Sequence, residues 1–335
     1  MSEKTPRPGE FDLIGRYFAP LAADPAARGL VDDAAVLSPP AGCDLVLTKD
    51  ALAADIHFFS TDDPQDVARK ALRVNLSDLA AKGADPIGYL LAIALPGDWT
   101  EDWIAGFAAG LAEDQARFGW SLLGGDTIRA ADKLTLSVTA IGSVPAGEAV
   151  SRAGARPGDI LYVSGTLGDA ALGLKLRAGE ERAARWALAA HHADHLVSRY
   201  LIPEPRLGLA EALRTCAHAA MDISDGLSGD LRHLLRASGL AGHVRLADLP
   251  LSPAARAVVD ADPEMLASVL GGGDDYEILA AVPPEAVADF EAMAADAGIS
   301  VIPIGQCQDG EAGDMTFFDG QGEPVAIGGT AYRHF

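Results

Sequence analysis

Asp residues interrupt the apolar patterning of this chain where strands give way to turns, and at one place on a helix face that should be buried. They are Asp32-Asp33, Asp50, Asp78, Gly124-Gly125-Asp126-Thr127, Asp222-Ile223-Ser224-Asp225-Gly226 and Gly272-Gly273-Asp274-Asp275-Tyr276-Glu277. Carboxylates brought together repel one another, and a buried one is costly until something neutralises it. Whatever fold the chain adopts must supply that neutralisation. Hard oxygen donors at loop ends suit Mg²⁺, which takes one or two carboxylates together with substrate phosphates. The pattern points to metal-assisted phosphate chemistry.

With 335 residues, the chain has room for two domains, each burying a core of its own. Hydrophobic residues make up 49% and charged ones 22%, the balance of a globular protein. Against 48 Asp and Glu stand 26 Lys and Arg, a net charge of −22. Such a charge argues against nucleic acid or an anionic membrane as partner, and would repel ATP unless metal ions or a local Arg intervene. Cys43, Cys216 and Cys307 form no C-x-x-C pair and suggest neither a disulfide framework nor a zinc or redox site. The stretch Met1–Gly9 is polar and lacks the apolar core of a signal peptide, and the longest apolar run, Tyr89–Leu95, is too short to span a bilayer. The expected location is the cytoplasm.

Along the chain, residues 10–22 predict a short helix, and 34–37, 44–48 and 87–94 predict strands. Between the last two strands a helix is strongly marked: Asp63 as N-cap, Pro64 at its first position and Gly83 just past its end. Plotted at 100° per residue, Val67, Ala71, Leu72, Val74, Leu76 and Leu79 form an apolar arc that also contains Asn75 and Asp78. Arg69, Lys70, Arg73 and Ser77 fall opposite. A carboxylate on the packed face needs a donor, a cation or a metal. A second helix is expected over 101–118, then a strand over 120–123, a turn at Gly124-Gly125-Asp126, and a period-two strand over 134–144. The small-residue stretch Ser151–Gly158 looks like the domain junction. Beyond it, strands at 159–164, 217–223 and 277–282 each precede a helix, beginning at Asp169, Leu227 and Pro284. That half reads as α/β, and the first half as α+β.

No Walker-type phosphate loop occurs. Gly165-Thr166-Leu167-Gly168-Asp169 falls between a strand and a helix where N–H groups could meet a phosphate, but an ordinary turn accounts for it. Two glycines ahead of Asp126 let backbone approach a ligand and aim one carboxylate at it. Ser224 or Asp225 could cap the following helix, which explains one acid but not both. His191, His192 and His195 read as a solvated helix end. His57 is isolated, and either packing or substrate contact fits it. There is no Ser-His-Asp or Cys-His grouping.

These motifs resemble the thiamine-monophosphate kinase family, of the superfamily that includes aminoimidazole ribonucleotide synthetase and selenophosphate synthetase. The likeness spans nearly the whole chain. It rests on Asn75–Pro86, Leu123–Thr127, Asp222–Leu227 and the ending Tyr332–Phe335, with a shorter match at Gly9–Ile14. The resemblance implies a two-domain aminoimidazole ribonucleotide synthetase-like fold. Residues 1–148 would form a metal- and nucleotide-binding, dimerising domain, and 149–335 an α/β domain completing the ATP and substrate site. It implies ATP-dependent phosphorylation of thiamine monophosphate to thiamine diphosphate, the last step of that cofactor's biosynthesis. Transfer would be direct and in line, with several Mg²⁺ ions and no strong protein base. By matching position, Asp33, Thr48, Asp50, Asp78, Asp126, Asp222 and Asp225 would be metal ligands. Gly125, Asp126, Arg152 and Ser224 would hold ATP, and His57, Asp274 and Tyr332 the thiamine monophosphate. A homodimer is implied, its N-terminal sheets pairing into a barrel.

Three positions depart from the family pattern. Lys49 stands where a small hydroxyl residue is usual, Val31 where a glycine is usual, and Asp274 where a Glu is usual. Two rivals stand beside this assignment. A selenophosphate synthetase would carry a reactive Cys near a Gly-rich N-terminus, and the hydrogenase-maturation relative would end in Cys; neither feature is present. A non-catalytic metal- or nucleotide-binding dimer is the other, with Lys49 its only hint.

Overall fold

The computed structural model describes residues 8–326. The chain divides into two compact units: one runs to Leu79 and resumes over Asp85–Gly147, and the other comprises Ala80–Ala84 and the chain from Glu148 onward.

The first unit opens with a helical run that is α-helical over Glu10–Leu13 (α1), then wider and finally tighter in pitch to Leu21. It continues with β1 (Cys43–Ala53), α2 (Pro64–Ala81), β2 (Asp85–Leu95), α3 (Glu101–Phe118), β3 (Ser121–Arg129) and β4 (Thr135–Pro145). The four strands form one sheet in the order β1-β4-β2-β3. Thr100 Oγ accepts the Trp103 N–H at 3.2 Å to start α3, and Gly119 at φ 70° ends it. Asp63 accepts the Gln65 N–H at 2.8 Å ahead of α2.

Three expectations need correction here. Residues 34–37 form no strand; the Val36 N–H is satisfied by the Ala26 carbonyl instead. Gly124-Gly125-Asp126 is not a turn but the middle of β3, which runs straight through it in parallel pairing with β2. The side of α2 expected to face water is also buried. Lys70, Arg73 and Ser77 are 2%, 4% and 0% exposed, because α3 covers that side and Asp114 supplies the counter-charge to Arg73.

The second unit contains β5 (Ile160–Ser164), α4 (Asp169–Arg177), α5 (Ala190–Leu201), α6 (Ala210–Cys216), β6 (Ala219–Ile223), α7 (Leu227–Ser238) and β7 (Ala241–Arg245). These are followed by α8 (Pro253–Ala261), α9 (Met265–Gly271), β8 (Glu277–Val282), α10 (Val287–Asp296), β9 (Val301–Gln308), β10 (Met315–Phe318) and β11 (Pro324–Val325). Its seven strands lie in the order β11-β10-β7-β9-β5-β8-β6. Alternate residues of the central strands feed two separate cores. Leu161, Val163, Met221 and Leu279 pack with α4, α7, α8 and α9, while Tyr162, Ala220, Ile278 and Ala280 pack with α6 and α10. A sheet covered on both faces explains why these strands are apolar throughout. Although β5 and β6 each lead into a helix, they are not neighbours. The strand between them, β8, runs antiparallel to both, so the alternation of strand and helix does not yield a parallel sheet. Among the described residues no helix is long and apolar enough to cross a membrane.

Candidate functional site

In the first unit the acids are held by strand alternation and by α2. Thr48 and Asp50 lie on the side of β1 that meets α2: the Thr48 hydroxyl donates to the Asp78 carboxylate, and the Asp50 N–H donates to Asn75 Oδ1 at 3.1 Å. The helix face that looked wrongly polar is therefore the face turned to β1, with Asn75 and Asp78 meeting the strand's polar residues. Lys49, between them, is exposed on the opposite side with Leu45 and Leu47, as the two-residue period of a strand requires. It points away from Thr48 and Asp50.

Asp32, Asp33, Gly124, Gly125, Asp126 and Thr127 line one cavity of about 140 Å³, floored by apolar residues including Phe18, Leu91 and Leu122. Gly125 is indispensable to this wall, since a Cβ built there would overlap the Leu91 carbonyl oxygen. Val31 adopts φ −103°, an ordinary conformation for a branched residue. The positive φ values of this turn fall instead at Arg28, Gly29 and Leu30. A glycine is therefore unnecessary at position 31. His57, half-buried, accepts the Ala53 N–H through Nδ1 at 3.0 Å, which leaves the ring proton on Nε2.

In the second unit Asp222, Ser224 and Asp225 occupy the end of β6 and the turn into α7, with Asp222 7% exposed. The helix cap is not the one expected: the Asp230 carboxylate, one turn into α7, reaches back to the Asp225 N–H at 2.9 Å. Burial pushes the Asp230 carboxyl up to about 7; the Asp225 charge adds to this, while the Asp225 and Ser224 N–H groups and Arg152 oppose it. Arg152 is exposed in the loop before β5. Asp274 sits at φ 72° with its N–H on the Ser224 carbonyl at 2.9 Å. Tyr332 lies outside the described residues.

What the sequence missed is the role of the two acids that follow Asp274, and the arginines that meet them. Asp275 is 2% exposed and accepts the Gly168 N–H at 2.7 Å. It thereby occupies the N-terminus of α4, so the Gly165–Asp169 turn offers no free cradle for a phosphate. Burial holds the Asp275 carboxyl well above the usual carboxylate range. Glu277, fully buried, receives Arg199 Nη2 at 2.9 Å, Arg206 Nε at 2.6 Å and the Ser164 hydroxyl at 2.6 Å. Carboxylates two apart entering a strand were the available signal; nothing local marks Arg199 or Arg206 as their partners. His195 is 44% exposed on α5, with Nε2 3.3 Å from the buried Asp169 carboxylate.

Among the described residues, no three His, Cys, Asp or Glu stand together so as to hold a metal ion. The oxygen donors come instead as small sets, Thr48 with Asp78 and Asp33 with Asp126, while Asp222 and Asp225 stand three residues apart where β6 ends. Such sets fit an ion that takes one or two carboxylates and completes its shell with phosphate and water; they do not make a closed protein cage.

Residues 31–144 match the family described as AIR synthase related protein, N-terminal domain, and residues 156–317 match AIR synthase related protein, C-terminal domain. The thiamine-monophosphate kinase of Caulobacter vibrioides is 47% identical over 94% of this chain and 88% of its own. The crystal structure of thiamine-monophosphate kinase from Stenotrophomonas maltophilia superposes with a TM-score of 0.79 at 38% identity, covering 95% of this chain and 98% of that one. A further structure, described as AaThiL complexed with AMPPCP and TMP, superposes with a TM-score of 0.76 at 29% identity over 99% of both chains. This chain belongs to the thiamine-monophosphate kinase family.

Proposed function

We propose that this protein transfers the γ-phosphoryl group of ATP to the phosphate of thiamine monophosphate, giving thiamine diphosphate and ADP. The observation that carries this reading is the relative of full-length similarity that holds an ATP analogue, AMPPCP, together with TMP. It is joined by the separate sets of oxygen donors in this chain. Both reactants are phosphorylated anions, and the protein itself carries a charge of −22. Bringing the two together against that field requires cations.

Asp33, Thr48, Asp50, Asp78 and Asp126 of the first unit, and Asp222 and Asp225 of the second, would hold Mg²⁺. When bound, the ions neutralise phosphate oxygens and the charge that develops on transfer. Gly125, with no side chain, lets β3 backbone approach the nucleotide; Asp126, Arg152 and Ser224 would hold ATP. Arg152 supplies a guanidinium that meets phosphate oxygens with fixed geometry. His57, Asp274 and Tyr332 would bind thiamine monophosphate. With both phosphates aligned, positioning supplies most of the rate and no strong protein base is needed.

The protein would act as a homodimer. β1 is an edge strand of the first unit's sheet. Its outward residues Leu45 and Leu47, with Leu90 of β2, are exposed apolar side chains, Leu47 at 62%. An eleven-residue edge strand that exposes Leu45 and Leu47 is a hazard unless covered, and a second copy of the same strand is the complement that closes it. The proposed use of ATP favours the cytoplasm.

The test is ADP release with Mg²⁺-ATP and thiamine monophosphate, with thiamine, and with no acceptor. Release that depends on thiamine monophosphate is expected. Equal release in all three mixtures, or none in any, would remove the proposal.

A further inference from the structure

The Gly271–Glu277 segment does more than carry Asp274. Its backbone is laid along the acid loop of β6: the Asp274 N–H donates to Ser224 O at 2.9 Å and the Tyr276 N–H to Ile223 O at 2.8 Å. The fit leaves no slack. A Cβ on Gly273 would overlap the Ser224 carbonyl oxygen, and one on Gly226 would press on Gly271 and Gly272 backbone. The segment is also strained, since Asp274 and Tyr276 hold φ values of 72° and 51°, which for residues with side chains cost about 1–3 kcal/mol each and persist only where surroundings impose them.

What imposes them is the residue between the two. Asp275 turns inward, where its two oxygens take the Gly168 N–H at 2.7 Å and the Ala170 N–H at 3.4 Å. These are donors at the start of α4, which lack partners within the helix. Two residues on, Glu277 is fixed by Arg199 and Arg206, so the far end of the segment is immovable and Asp275 is the anchor in its middle. Three residues that differ in role thus alternate: Asp275 and Glu277 face the interior, and Asp274 is carried between the anchor and the Ser224 carbonyl.

We propose that Asp275 is a positioning residue: by capping α4 it holds Asp274 in its left-handed conformation and, through the Ser224 carbonyl, fixes the Ile223–Gly226 loop that carries Asp225. This rests on the assignment of Asp274 to thiamine monophosphate. In Asp275→Asn one of the two acceptors becomes an amide that faces an N–H group, the anchor is lost, and the strained flanking residues relax.

The full-length protein is titrated calorimetrically with thiamine monophosphate, at a temperature where a cooperative melt shows each variant folded. Hydrogen exchange is followed in parallel at the Asp274 and Tyr276 amides. Asp275→Asn is expected to weaken binding by about ten-fold or more, the relief of one such strain, and to speed exchange at those two amides but not in β5. Gly273→Ala keeps Asp275 but drives a methyl group into the Ser224 carbonyl, and should reproduce the loss of affinity. A folded Asp275→Asn protein with wild-type affinity and wild-type exchange at both amides overturns the proposal. So does accelerated exchange spread evenly through β5 and the segment alike, which would make Asp275 a stabilising residue only. If the wild-type protein does not bind thiamine monophosphate, the proposed function fails, and the exchange comparison still decides whether Asp275 holds the segment.

Discussion

Arg73 and Asp114 form a two-pronged ion pair between α2 and α3, with Nε 2.7 Å from one carboxylate oxygen and Nη2 2.8 Å from the other. Both side chains are buried, at 4% and 0% exposure. Removing Asp114 takes the carboxylate from beside a buried guanidinium, so Asp114→Ala should lose about 3–5 kcal/mol of stability, whereas replacing both by apolar residues of similar size should restore most of it. Urea unfolding of Asp114→Ala and of Arg73→Met/Asp114→Leu measures this. A single variant within about 1 kcal/mol of wild type would mean the pair is effectively solvated.

Asp126 is exposed at the rim of the first unit's cavity and serves no core contact. Asp126→Asn should abolish thiamine monophosphate-dependent ADP release while shifting the melting temperature by no more than about 2 °C, the scale of a neutral surface change. A variant that melts far below wild type would place Asp126 among structural residues.

Gly125→Ala should lower stability as well. Its methyl group meets the Leu91 carbonyl within the β2–β3 pairing, where nothing flexible can yield. A loss of about 3 kcal/mol or more is expected, the upper end for overpacking. Wild-type denaturation midpoints for this variant would show that β3 is not pressed against β2 at this point.

Burial pushes the Cys307 thiol up to about 12 and the Cys216 thiol upward as well. Both therefore stay protonated at pH 8, while half-buried Cys43 is reachable. A thiol reagent at that pH should label one cysteine rapidly in the native protein and all three after unfolding, with Cys43 identified by peptide mapping. The linkage sign follows from the same shift: because the folded-state value is raised, the stability share of Cys307 is present below pH 9 and is lost as pH rises toward 12. Rapid native labelling at Cys307 would contradict the burial.

Leu47 is 62% exposed on the outward side of β1. If β1 pairs with its twin, Leu47→Glu places like charges across the contact and should convert a dimer to monomer in light scattering, with the fold retained by circular dichroism. A wild-type protein that is already monomeric at micromolar concentration removes the dimer from the proposal.

Helices and strands whose ends carry marked local chemistry were legible before folding was considered. Pro64 and Gly83 bracket α2, Thr100 and Gly119 bracket α3, and the apolar runs of β6 and β8 announce strands. The sequence also singled out Asp78, because a carboxylate on an apolar arc is visible from spacing alone. Tertiary structure decided what spacing cannot carry. Gly124-Gly125-Asp126 has the composition of a turn, yet pairing with β2 makes it a strand. The cationic side of α2 is polar by pattern, yet α3 buries it, because Asp114 lies 41 residues away in sequence. Asp275 and Glu277 looked like further site acids, yet one caps a helix and the other is matched by two arginines from α5 and the loop beyond it. Local pattern fixes what a residue can do; which charge ends up beside which depends on partners that only folding brings within reach.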